Sequence, residues 1–108
     1  MASDDDGPDA RQLLTLSAAA RRIADLVAAA EQPLRYEVMR HLVRVSEETM
    51  TEVLDEAVHA KLVRRGGDPF TYVPYNERVG AEIRDAMPDE RLRALRARIR
   101  GATESVSE

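Results

Sequence analysis

The sequence predicts a mainly helical domain carrying one short β-hairpin, and three observations predict it. Apolar residues recur three and four apart in five separate stretches. Capping side chains, Ser17, Ser46 and Asn76, stand at the head of three of those stretches. A single Gly66-Gly67-Asp68-Pro69 stretch lies between two short runs of strand-forming residues.

Residues 1–11 carry Asp4, Asp5, Asp6 and Asp9 around Gly7-Pro8, offer little to bury, and are expected to form a disordered acidic tail. Leu13, Leu14 and Leu16 lead into the first helix, which Ser17 caps and Ile23, Leu26, Val27 and Ala30 line on one face. Gln32-Pro33 ends it, since a residue before proline avoids helical geometry. Pro33 suits the first position of a second helix, with Leu34, Val38 and Leu42 as its buried stripe. Ser46 followed by Glu47 and Glu48 opens the third helix, a cap with acidic groups where the helix dipole is positive. Met50, Val53, Leu54, Ala57, Val58 and Leu62 give that helix the most regular apolar spacing of the chain. Residues 62–65 and 70–73 flank the glycine turn as two strands, with Phe70 and Tyr72 on one side and expected in the core of the hairpin. Asn76 caps a fourth helix carrying Val79, Ile83 and Met87, and Pro88-Asp89 separates it from a fifth carrying Leu92, Leu95, Ile99 and Ala102. A second disordered tail is expected over residues 103–108.

Three helices, a hairpin and two further helices follow the order of a winged helix-turn-helix, with a core over residues 12–75 and a C-terminal helical hairpin over 76–102. The link at Arg44-Val45 takes the place of the helix-turn-helix turn, without the glycine often found there. At 108 residues the chain has room for one domain, and a domain of this size buries roughly two-thirds of its unfolded surface. Its 44% hydrophobic and 33% charged residues suit a globular chain. The lack of cysteine excludes disulfides, thiolate metal sites and cysteine nucleophiles. No apolar run approaches the roughly 20 residues of a membrane span, and the acidic start is unlike a secretory signal, so the cytoplasm is the expected location.

The positions that carry this pattern are Leu16-Ser17 with Ala20-Arg21-Arg22, the stretch from Ser46-Glu47-Glu48 to Leu62-Val63, Phe70-Thr71-Tyr72, and Val79, Ile83 and Pro88 before Arg91-Leu92-Arg93-Ala94-Leu95. Together they resemble the winged-helix segment that follows the ATPase domain in large bacterial ATP-dependent LuxR-type transcriptional regulators, a branch of the signal-transducing ATPases. The likeness runs from residue 16 to about residue 104. It implies a segment that relays the state of an ATPase to neighbouring domains through protein contacts, DNA being read by a separate domain. Two departures matter. Asn76 stands where relatives usually carry a histidine near the nucleotide, and no G-x-x-x-x-G-K-[ST] stretch is present to cradle phosphates. No cofactor is therefore expected.

With the apolar stripe of the third helix inward, Glu47, Glu48, Thr51, Glu52, Asp55, Glu56 and His59 face solvent. In a DNA-reading winged helix that side enters the major groove, where arginine, lysine, asparagine and glutamine meet bases and phosphates. Five carboxylates beside Lys61 would repel a phosphate backbone instead. The acidic face of Glu47, Glu48, Glu52, Asp55 and Glu56 is read either as a solvated surface or as a docking face for a basic protein partner. Basic residues gather at Lys61, Arg64 and Arg65 beside the hairpin, where a wing can reach a minor groove, and at Arg93, Arg96 and Arg100 on the fifth helix. Those last three are either nucleic-acid or partner contacts, or a solvent face partly paired with Asp89 and Glu90. A protein partner is expected, a homodimer through the opposite-sign faces is a further reading, and DNA is disfavoured by the acids. The net charge of −4 gives no long-range attraction to DNA or to an anionic membrane surface. His41 and His59 lack companions at metal-ligand spacing, and nothing suggests a pocket around the carboxylates, so neither a metal nor a catalytic site is expected.

Overall fold

In the described residues, 17–68 and 70–107 of a computed structural model, eight elements follow one another. They are α1 (Ala18–Ala29), β1 (Leu34–Arg35), α2 (Tyr36–Leu42), α3 (Glu47–His59), β2 (Val63–Arg65), β3 (Thr71–Pro74), α4 (Glu77–Asp85) and α5 (Asp89–Ser107). The mainly helical class is as expected, and the strands form one antiparallel sheet in the order β1-β3-β2. The tail expected over residues 1–11, and Leu13, Leu14 and Leu16, lie outside the described residues.

The three expected caps are in place. Ser17 Oγ accepts the Ala20 N–H at 3.1 Å, Ser46 Oγ that of Thr49 at 3.1 Å, and Asn76 Oδ1 that of Val79 at 2.8 Å. Each satisfies a first-turn donor that has no partner within its helix. At the other end of α3 the Leu62 N–H returns to the Ala57 carbonyl and the Lys61 N–H to that of Val58. Lys61 makes that reversal at φ 63°, in the left-handed position that glycine usually takes in this type of helix stop.

The core is built around α1. Ala20, Ile23, Ala24, Leu26, Val27, Ala28 and Ala29 are all buried, and the helix packs against α3, α4, α5 and β3. Its four buried alanines let those neighbours approach closely. Met50, Val53, Leu54 and Ala57 supply the facing stripe of α3, each large side chain contributing about 1.5–3 kcal/mol by leaving water. In the sheet, Leu34 pairs with Tyr72, and both are buried. Gly80 lets α4 settle on β3, since a Cβ there would lie 3.0 Å from Pro74 Cβ.

Five local expectations are revised. Pro33 does not open the second helix: Leu34 and Arg35 are drawn into β1 by pairing with Tyr72 and Thr71, and α2 starts at Tyr36, whose N–H donates to the Phe70 carbonyl at 2.8 Å. Phe70 is not in the hairpin core but 69% exposed, because it precedes β3 in a turn where Asp68 Oδ1 accepts its N–H at 2.8 Å, so strand alternation does not reach it. Val58 is exposed at the end of α3, while Leu62, beyond the helix, is buried. Met87 is buried but follows α4. Finally, α5 continues past Ala102 to Ser107, carrying Val106 onto the core, with Thr103 Oγ1 donating to the Ile99 carbonyl at 2.7 Å. No helix among the described residues is long and apolar enough to cross a membrane.

Candidate functional site

The apolar stripe of α3 faces α1, so its polar side faces out: Glu47, Glu48, Thr51, Glu52, Asp55 and His59 are exposed. Glu48, Glu52 and Asp55 follow at spacings of four and three, which stacks their carboxylates along one face. Like charges at such spacings oppose each other by about 0.2–0.5 kcal/mol per pair. Among the described residues, the arginine–carboxylate pairs are Arg35–Glu37, Arg78–Glu82 and Arg91–Asp25, none of which involves α3. The outward row of acids is therefore not neutralised by any described arginine.

Glu56 departs from that row. It is half-buried, and its two oxygens accept the Ser17 N–H at 2.7 Å and the Ser17 hydroxyl at 2.9 Å. Since α1 has no acid in its own first turn, this carboxylate supplies the negative charge its N-terminus favours. Glu56 thus ties α3 to α1 and is set apart from the docking candidates Glu47, Glu48, Glu52 and Asp55.

Beside the acids, Tyr36, Thr51, Leu54, Asp55, Arg65, Phe70 and Tyr72 line a cavity of about 290 Å³ between α3, the start of α2 and the hairpin. Phe70 stands at its edge. A partner that reached the acids would meet this aromatic ring as well. Periodicity alone missed the ring; the Gly-Gly-Asp-Pro composition before it was the available sign that strand alternation had not yet begun.

No match was found to the chain among family models, curated proteins or solved structures.

The basic candidates divide between two places. Arg64 and Arg65 are exposed on β2, with the Arg64 guanidinium donating to the carbonyls of Tyr75 at 3.1 Å and Arg65 at 3.3 Å. Lys61 is half-buried at the end of α3. On α5, Arg93 and Arg100 are exposed, but Arg96 turns inward and its Nε donates to the Ala29 carbonyl at 3.0 Å. Arg84 of α4 does the same to Ala28 at 3.0 Å, so the orphan carbonyls at the end of α1 are capped from two other helices. The expected pairing of α5 arginines with Asp89 and Glu90 is not what forms: Arg91 reaches Asp25 of α1 at 2.9 Å. His41 and His59 are both exposed, and among the described residues no three His, Asp or Glu side chains converge as a metal site would require.

Proposed function

We propose that the chain is a non-enzymatic winged-helix module of a transcription-regulatory or signalling system, which docks a protein partner through the outward face of α3. The order α1-β1-α2-α3-β2-β3, with β1 hydrogen-bonded to β3, supports the winged-helix reading. The single observation that carries the function is the exposed row Glu47, Glu48, Glu52 and Asp55, without arginine partners among the described residues, on the helix that a DNA reader would insert in the major groove. A basic partner surface relieves the repulsion within the row, and Phe70 at its edge adds an apolar anchor of the kind that dominates interface energies. The same face meeting the exposed arginines of a second copy would give a homodimer; a monomer mass by light scattering at high protein concentration, unchanged across a salt series, would remove that version.

The competing reading is a DNA-binding winged-helix repressor that uses Arg65 and the hairpin. A mobility-shift titration with duplex DNA at low salt separates the two. The expected result is no retardation by the wild-type chain and weak, salt-sensitive retardation after Glu52→Lys with Asp55→Lys. Retardation by the wild-type chain would favour the repressor. Failure of the double change to create any binding would show that charge was not the barrier.

A further inference from the structure

Arg22 of α1, Arg44 in the link between α2 and α3, and Arg98 of α5 line one cavity of about 500 Å³. They are far apart in sequence, and only the packing of three separate elements brings them together. All three are exposed, and no side-chain hydrogen bond or ion pair joins any of them to another described residue. Arg84, Arg91 and Arg96, by contrast, each hold an acceptor on α1. Among the described residues, the remainder of the lining includes Leu42, Val43 and Val45 and contains no carboxylate.

Three like charges around one hollow repel one another, and no described residue of its wall offsets them. Each guanidinium fork matches two oxygens of a phosphate or carboxylate group at once. An anion in the hollow therefore turns a repulsive arrangement into an attractive one. In a chain of net charge −4 this is a local concentration of positive charge, which the overall sign conceals.

We propose that the Arg22, Arg44 and Arg98 cavity binds the phosphate group of a small phosphorylated molecule. The arginines take the phosphate oxygens, and the half-buried Leu42 and Val45 side chains meet the organic part. A nucleic-acid backbone suits this position less well. It needs an extended positive track, whereas the chain carries exposed Glu47 and Glu48 three and four residues beyond Arg44. The site is independent of the protein-docking face proposed above.

The test is titration of the whole chain with inorganic pyrophosphate and with phenyl phosphate at low salt, followed through backbone amide and methyl NMR shifts. Saturable shifts are expected around residues 18–22, 42–45 and 98, with phenyl phosphate adding movement of the Leu42 and Val45 methyl signals. Arg22→Gln, Arg44→Gln and Arg98→Gln should each weaken binding about tenfold, the loss of one hydrogen bond to a charged group. Arg93→Gln, on exposed surface outside the cavity, should change it less than about twofold. Because all four side chains are exposed, a native-like spectrum for each variant separates lost binding from lost folding. Non-saturating shifts, or shifts indifferent to the three arginines, would mean general ionic screening and overturn the site. A duplex oligonucleotide that moved the same signals at lower concentration than either phosphate would overturn the ligand class.

Discussion

Helices α3 and α5 are the two most conspicuously charged elements of the chain, and they use charge in opposite ways. The α3 acids at 47, 48, 52 and 55 stand in water, with only Glu56 turned to a structural task. On α5 the arginines are divided: Arg91 and Arg96 are spent on α1, while Arg93, Arg98 and Arg100 are exposed. The cause lies in α1, which brings no acid to its first turn and no base to its last. Its ends are satisfied from outside, by Glu56 at one and by Arg84 and Arg96 at the other. A charged residue on a neighbouring helix is therefore structural when it falls opposite an end of α1 or, as Arg91 does, opposite Asp25 on its side.

Six substitutions sharpen or break that contrast. Leu54→Ala, on the buried side of α3 at 3% exposure, should cost about 2–5 kcal/mol in urea unfolding by leaving a cavity in the core. A cost near zero would mean that the two sides of α3 have been exchanged. Arg96→Ala should cost about 1–2 kcal/mol, since it leaves the Ala29 carbonyl without its donor. Arg93→Ala should stay within about 0.5 kcal/mol; equal effects of the two would erase the division within α5. Glu56→Ala should lower stability by about 1 kcal/mol through loss of the Ser17 contacts. Its neighbour Glu52→Ala should instead be neutral, or stabilising by about 0.2–0.5 kcal/mol as repulsion along the row falls. Comparable in size, Lys61→Gly should raise the thermal midpoint slightly, through about 0.5 kcal/mol of stability, because glycine adopts a positive φ without the steric cost borne by a side chain.

Local features of this fold were legible in the sequence and long-range ones were not. Ser17, Ser46 and Asn76 act on donors three residues ahead, so spacing alone identified them as caps. The stripe of Met50, Val53, Leu54 and Ala57 was equally plain, since one face of one helix meets one neighbour. Strand β1 escaped because two residues cannot display a period, and its partner lies across the chain at Thr71 and Tyr72. The role of Glu56 depends on Ser17, 39 residues away, and that of Arg96 on Ala29, 67 residues away. Of the proposed docking face, the outward position of Glu47, Glu48, Glu52 and Asp55 followed from helical period. The exposure of Phe70 did not, because it rests on the turn geometry set by Asp68. The grouping of Arg22, Arg44 and Arg98 left no periodic trace at all, each belonging to a different part of the chain.

The sheet, finally, limits how anything can attach. Its two outer strands, β1 and β2, are two and three residues long, and β2 ends in Arg64 and Arg65. Borders so brief and so charged give an incoming extended peptide almost no backbone to zip onto. Recognition is left to side chains on the helical surfaces, and stacking of copies edge to edge into fibrils has no template from which to grow.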